Sequence, residues 1–459
     1  MSGALGDLLA AALASLVHPV ESTNGERRGG AELLALAGRI EAALKAKGIA
    51  AVEPVLVRMG NRPADIGALL GIWQAGAVAV PLSATAAQTT RERLNDQTGA
   101  RFLVDGDRLE VIAAAPPPER PLLNDAALVM FTSGSTGLPK GAVIGHRRLA
   151  DKLVILDRLL GFARDDAVLL PLQLTFIFGL WVSLLTLMKG SRLVLVPKFS
   201  DEAMARGLAD AAVLGAVPSM LRAMLLTAPP PPPAPGLRKI LIGGEVLTPH
   251  LARRMRDWSP AEIHDLFGLT ETGTCDFHCG PAEQPHGFGT IGRATDNVAF
   301  RFGADGELLI RSPYGMLGYL DDPALTAASF DDGYFKTGDL ARLDEHGYVT
   351  LIGRAKDTVS RGGVKIAPLE IDNLLAEHPD VAAALCAGVP DERLGEAIHA
   401  VVVPRDGAAL DAAALREWLL AHTERYKVPE VFYIRDALPT GATGKADRRA
   451  VARLADVSR

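Results

Sequence analysis

The sequence predicts an α/β fold with largely parallel sheets, followed by an antiparallel region and a small C-terminal unit. Three observations carry this. Short apolar runs alternate with helical patterns over most of the length. After about residue 300 the rhythm changes to strand pairs separated by turns, and roughly the last hundred residues form a compact charged α/β stretch. At 459 residues the chain is too long for one ordinary core and suits a large domain with a small one. The boundary falls near Arg354–Asp357, giving domains 1–355 and 356–459.

The elements follow in order. Residues 1–17 read as an amphipathic helix, because Asp7 interrupts the apolar stretch and no Lys or Arg precedes it as a signal peptide requires. Ala51–Val57, Ala77–Pro81, Ala127–Phe131, Arg192–Val196, Val213–Ala216 and Lys239–Ile242 are short apolar runs that predict buried strands. Pro63–Ala75 and Ala203–Asp210 are helical between them. Ala167–Met188 carries no charge and is long enough to span a bilayer. Pro171, Gln173, Thr175 and Gly179 break it, so a buried strand, a loop and a packed helix are expected instead. Pro229–Pro233 with Pro235 is a stiff connector. Gly306–Ser312 and Gly347–Gly353 predict strands of the antiparallel part, with a turn at Asp344–Gly347.

Bulk properties exclude some functions. A formal net charge of -6 offers no basic field for nucleic acid or anionic lipid. Three cysteines are too few and too scattered for a disulfide framework, which points to a reducing, cytoplasmic setting. Cys275, His278 and Cys279 cluster, but Cys-x-x-His-Cys is an incomplete zinc set with no second pair nearby. Chance or pocket lining is the better reading.

The chemistry concentrates after Ala127–Phe131. Thr132-Ser133-Gly134-Ser135-Thr136-Gly137-Leu138-Pro139-Lys140-Gly141 combines glycines, hydroxyls and one lysine. Glycines let backbone amides approach a polyanion, hydroxyls donate to phosphate oxygens, and Lys140 supplies a point charge. The Walker-type P-loop has the same ingredients. Counted from Gly134 its lysine falls on Lys140, but Pro139 occupies the second glycine position and Gly141 the metal-binding hydroxyl position. That reading fails.

The order of residues resembles the phosphate-binding motif of the adenylate-forming superfamily: acyl- and aryl-CoA synthetases, adenylation domains of peptide synthetases and firefly luciferase. His146 also sits where these enzymes often carry a histidine. The likeness runs from about Pro54 to Lys445, in a chain shorter than typical members. It implies a large domain of stacked, mostly parallel sheets with an antiparallel barrel-like part, and a small mobile α/β domain. It implies ATP, Mg2+ and CoA, or a carrier protein's phosphopantetheine arm, as cofactors and co-substrates. No nucleic acid or transmembrane segment is expected.

The resemblance also implies roles. Thr132, Ser133, Gly134, Ser135, Thr136, Gly137 and Lys140 hold phosphates. Asp265–Thr272 resembles the second core motif, in which Glu271 ligates Mg2+, a hard cation suited to oxygen, and Thr270 bonds the α-phosphate or substrate carboxylate. Phe267 stands where tyrosine is usual, so a hydroxyl contact is lost. Phe267, Gly268, Gly244 and Glu245 belong to the nucleotide site, and Gly243 and Leu269 to the acyl pocket. Asp339, in Gly333–Asp339, takes the ribose hydroxyls, and Arg354 lies near ribose and phosphate. Lys356 and Asp357 form the hinge. Gly362, Gly363 and Lys365 line the acceptor tunnel. Lys445, in Leu438–Lys445, stabilises charge in the adenylation transition state.

The acid is the open question. Phe176, Phe178 and Gly179 lie on the expected pocket wall, and Phe176, Phe178 and Trp181 suggest an apolar surface for an aromatic or medium aliphatic acid. This wall departs from the family, with Gln173 and Leu174 where many relatives have an aromatic and a histidine. Alternatives are a stand-alone ligase loading an acyl carrier protein, a luciferase-like oxygenase, and a non-catalytic ligand-binding relative. Intact Lys140, Glu271, Asp339 and Lys445 argue against the last.

Overall fold

The computed structural model describes residues 3–133, 139–226, 230–287, 289–405, 407–440 and 446–457. Pro54–Met59, Val78–Ser83, Phe102–Asp105 and Ala126–Ser133 form the parallel centre of a seven-stranded sheet. Ala167–Leu170, Arg192–Leu195, Val213–Ala216, Lys239–Gly243 and Glu262–Phe267 form the parallel centre of a nine-stranded sheet. Such strands read as unbroken apolar runs because helices bury both faces.

Five helices lie between the two sheets: Gly3–Ala14, Gly30–Ala46, Pro63–Gln74, His146–Leu160 and Ile177–Lys189. Their apolar residues share one core with Val55 and Leu128 of the first sheet and Val168 and Leu193 of the second. Asp201–Leu208, Pro218–Leu226 and Pro249–Trp258 cover the far face of the nine-stranded sheet, and Gln88–Thr98 that of the seven-stranded sheet. The stacked arrangement is thus realised.

Ala299–Phe302, Glu307–Arg311, Phe330–Asp331, Tyr334–Leu343 and Val349–Arg354 form a separate antiparallel sheet. Its expected turn forms because Asp344 Oδ1 accepts from the His346 and Tyr348 amides at 2.9 and 2.8 Å. A C-terminal sheet of Val359–Arg361, Val364–Ile366, Val381–Asp391, Gly395–Pro404 and Val431–Ile434 packs with helices Pro368–Ala376, Ala412–His422 and Arg448–Val457. Arg405 Nη2 meets His250 Nε2 at 2.7 Å, linking this unit to the Pro249–Trp258 helix. Burial and the arginine charge push the His250 imidazole down to about 4, so it is neutral and accepts.

The Ala167–Met188 stretch resolves into the Ala167–Leu170 strand, a loop, and most of the Ile177–Lys189 helix. Among the described residues no helix is long and apolar enough to cross a membrane. Element boundaries differ from the sequence expectation by a few residues. The helix expected at Ala203 starts at Asp201 because the Ser200 hydroxyl accepts from the Ala203 amide at 3.2 Å. The larger difference is a strand at Pro139–Gly145, antiparallel to Ala126–Ser133 and ending at the His146–Leu160 helix. The phosphate loop joins two strands of one hairpin and does not open a helix. This is a second, independent reason why the Walker reading fails.

Candidate active site

Hairpin register places Lys140 opposite Thr132 and Pro139 opposite Ser133, so both ends of the phosphate loop meet at one point. Gly134, Ser135, Thr136 and Gly137 lie outside the described residues. The Glu262–Phe267 strand delivers the second motif to the same end. Thr132 Oγ1 donates to Glu271 Oε1 at 2.9 Å, between residues 139 positions apart in the sequence. Tyr319 OH donates to the same oxygen at 3.2 Å. Lys140 Nζ lies 5.5 Å from the centre of the Tyr319 ring. Burial, reinforced by the Glu271 charge, pushes the Tyr319 phenol well above its ordinary value, so it stays a donor.

Glu271 is 9% exposed, and its described partners are these two neutral hydroxyls. A buried carboxylate with no cationic side chain paired to it among the described residues fits a hard divalent cation shared with phosphate oxygens. Among those residues no group of three His, Cys, Asp or Glu side chains could hold a metal by itself. Half-buried Thr270 precedes Glu271. The turn folds back sharply at Gly268, where an added Cβ would stand 2.3 Å from the Cys275 amide nitrogen. Phe267 turns its ring edge-on to Phe277 in an apolar cluster that also takes Leu269. With the usual tyrosine hydroxyl absent, the position serves as packing.

Asp339 and Arg354 face each other across adjacent antiparallel strands, with Arg354 Nε 2.8 Å from Asp339 Oδ1. This is more than a surface ion pair. The Asp339 side chain is only 5% exposed, whereas Arg354 is half-exposed. Burial raises the Asp339 carboxyl, opposed by the arginine. Among the described residues its buried Oδ2 has no partner. An unsatisfied buried acceptor beside a charge-assisted pair suits hydroxyl donors such as those of a ribose.

Around the expected acyl pocket, Phe178 stacks on Trp181 at 5.5 Å. Phe178 reaches Gly243: a Cβ there would lie 3.3 Å from its ring and 2.5 Å from the Leu266 carbonyl. Gly179 is squeezed against the Gln173 and Leu172 carbonyls, whose oxygens would stand 2.4 and 3.0 Å from an added Cβ. Trp181 is fully buried and backs Phe178. Phe176 differs from expectation: it flanks the start of the Ile177–Lys189 helix and is 45% exposed. Gly244, at φ 79°, makes the turn after the strand. The Glu245 carboxylate instead accepts from the Ser219 amide and hydroxyl at 3.0 and 2.7 Å, bracing the start of the Pro218–Leu226 helix.

Two further groups lie on the segments after Arg354. Gly362 and Gly363 are exposed left-handed residues and Lys365 is exposed. Neighbouring Arg361 is tied to Glu430 and the Tyr426 carbonyl. Lys356 and Asp357 form a short 3-10 turn, with Arg448 Nε 3.8 Å from Asp357. Lys445 lies outside the described residues; Thr440, within its motif, and Ala446, just after it, pair in an antiparallel bridge. His146 is a core residue. It stands edge-on to Trp73 at 5.5 Å, and burial pushes it down to about 4. His278 meets His264, Nε2 to Nδ1, at 3.0 Å, and Cys275 and Cys279 are buried thiols.

Sequence reasoning missed Tyr319 and Asn61. Fully buried Asn61, at φ 55°, donates to the Leu172 and Val196 carbonyls at 2.8 and 3.1 Å and accepts from the Leu174 amide at 2.9 Å. It fastens the pocket-wall loop to the first sheet. An Asn before Arg-Pro signals only a turn. Nothing marks Tyr319 until folding sets it beside Glu271.

The AMP-binding enzyme model matches residues 17–320, and the AMP-binding enzyme C-terminal domain model matches residues 370–445. The chain is 32% identical over 451 residues to the feruloyl-CoA synthase of Amycolatopsis sp, covering 90% of this chain and 91% of that one. It is 31% identical over 473 residues to the indoleacetate–CoA ligase of Aromatoleum aromaticum, covering 92% of each. ATP-bound MatB from Rhodopseudomonas palustris shares the fold with a TM-score of 0.85 at 26% identity, covering 99% of this chain and 100% of that one. The chain belongs to the AMP-binding enzyme family: it is an ATP-dependent acid–thiol ligase that activates a carboxylic acid as its acyl-adenylate and passes the acyl group to a thiol.

Proposed function

We propose that this ligase activates an aromatic or medium aliphatic carboxylic acid, with CoA as acceptor, and that the cluster Thr132, Lys140, Glu271 and Tyr319 binds the ATP phosphates. The convergence of Thr132 and Tyr319 on the Glu271 carboxylate carries this reading. Mg2+, held by Glu271, would neutralise charge on the phosphates. Lys140 and the backbone amides of the loop orient the triphosphate. Asp339 receives the ribose hydroxyls on its free oxygen. Thr270, next to Glu271, would bond the α-phosphate or the substrate carboxylate. Lys445 supplies positive charge as the substrate carboxylate attacks the α-phosphorus and pyrophosphate leaves. Positioning and charge neutralisation do this work, with no covalent enzyme intermediate.

In the second step the unit from residue 356 onward rotates about Lys356–Asp357. Lys445 withdraws, and the exposed Gly362–Gly363 loop lines the path of the thiol. The thiol attacks the mixed anhydride, and AMP leaves. The apolar wall of Phe178 on Trp181 supports the choice of acid, as do the substrates named for the feruloyl-CoA and indoleacetate–CoA relatives. The test is pyrophosphate release over a panel of acids, each with CoA, with a phosphopantetheinyl carrier protein, or with no acceptor. Aromatic acids should lead, with thioester formed on CoA. Preference for a dicarboxylate, or thioester formed on the carrier alone, overturns the corresponding part.

A further inference from the structure

Lys152 is the only fully buried lysine or arginine among the described residues. It sits on the His146–Leu160 helix, which follows the phosphate-loop hairpin. Burying an ammonium is costly unless its protons are taken up. Here Nζ donates to the Cys275 carbonyl at 2.8 Å and to Thr295 Oγ1 at 3.0 Å. The Tyr314 ring lies 5.1 Å away. Thr295 Oγ1 in turn donates to the same Cys275 carbonyl at 3.0 Å. Fully buried Asp276 is within electrostatic reach, and its carboxylate accepts from the Thr272 hydroxyl.

All of these partners belong to the turn that carries Glu271 or to what packs behind it. The turn is conformationally demanding: Gly273, Thr274 and Cys275 have φ of 92°, 68° and 45°. For the β-branched Thr274 and for Cys275 this region is disfavoured, and it persists only where surroundings enforce it. Within the turn the Thr272 and Thr274 amides donate to the Leu269 carbonyl at 3.3 and 3.0 Å, and from outside it the Met316 amide donates to the Glu271 carbonyl at 2.9 Å. The Lys152–Cys275 bond comes from a separate element and closes the turn from behind.

We propose that Lys152 is a positioning residue for the metal-binding carboxylate. Its ammonium holds the far end of the Glu271–Asp276 turn against the His146–Leu160 helix, and so holds Glu271 in register with the phosphate-loop hairpin at the head of that helix. This rests on the reading of Glu271 as the Mg2+ ligand. A purely structural lysine would alter stability and leave the metal requirement unchanged.

The experiment measures acid-dependent pyrophosphate release against Mg2+ concentration for Lys152→Met, for the charge-neutral pair Lys152→Met with Asp276→Asn, and for Glu271→Gln, with unfolding of each. The pair keeps the acceptor for Thr272 and leaves no lone buried charge. Expected for the lysine variants is a half-saturating Mg2+ concentration raised at least about fivefold and kcat lowered about tenfold or more, while KM for the acid stays within about twofold. Wild-type Mg2+ dependence and kcat in whichever lysine variant folds overturns the proposal. So does failure of both to fold, which would make the lysine structural. If Glu271→Gln itself leaves Mg2+ dependence unchanged, the reading of Glu271 falls; if it shifts and the lysine variants do not, only this inference falls.

Discussion

Thr132 donates to Glu271 across 2.9 Å, joining the strand that enters the phosphate loop to the turn that ends the Glu262–Phe267 strand. Thr132 lies in the seven-stranded sheet, and Glu271 in the turn that follows a strand of the nine-stranded one. Their hydrogen bond lies at the proposed triphosphate site. A carboxylate so placed, with neutral donors alone, leaves its charge for a cation.

Glu271→Gln keeps the size and the hydroxyl contacts but removes that charge. Pyrophosphate release should fall about 100-fold or more in kcat at fixed Mg2+. Thermal unfolding of the variant should match the parent. Retained kcat would exclude Glu271 from the phosphate site.

Asp339→Ala removes the free buried acceptor and unpairs Arg354, which is half-exposed and can turn to water. Loss of charge-assisted bonds worth about 1.5–3 kcal/mol should raise KM for ATP roughly 10- to 100-fold, with a smaller change in KM for the acid. Equal rises in both would place Asp339 outside the nucleotide site.

Lys445→Ala should abolish acid-dependent pyrophosphate release. The same variant should still make thioester from a synthetic acyl-adenylate and CoA, because the proposed second step withdraws the lysine. Unchanged pyrophosphate release would sink the assigned role.

Phe178→Ala deletes the ring that fills the space before Gly243. The preferred acid should lose kcat/KM by at least about tenfold, and bulkier acids should gain relative to it. A steady-state comparison of three acids of increasing width reads this directly.

His146 is held at about 4, below its ordinary 6.5, by burial. As pH falls from about 6.5 toward 4, the unfolded chain takes up a proton that the folded one refuses, so stability is lost on that limb. The contribution is about 2–3 kcal/mol by pH 4.5. His146→Phe should flatten this limb in denaturant titrations at pH 7 and 4.5. An unaltered slope would mean that His146 is not the group titrating.

The apolar runs at Val213–Ala216 and Lys239–Ile242 are strands at nearly those residues, because a strand covered on both faces has no polar positions to blur its ends. The turn at Asp344 is equally legible, since an aspartate carboxylate caps its own turn amides. The Pro139–Gly145 strand is not. Gly-Leu-Pro-Lys reads as loop, and only pairing with Ala126–Ser133 makes the stretch extended. For Phe176 the sequence offers apolar character alone, which does not say which way a helix-flanking side chain turns.

By itself the sequence determined the α/β class, the order of chemically competent groups and the failure of the Walker spacing, because these depend on residue type and local period. Only the tertiary structure decided that Tyr319 shares Glu271 with Thr132, that Asn61 fastens the pocket wall, that Asp339 keeps one buried oxygen without a partner among the described residues, and that Lys152 bonds the Glu271 turn. Three of these join residues far apart in the chain, and the cost of burying a polar group is settled by partners that the fold alone brings within reach.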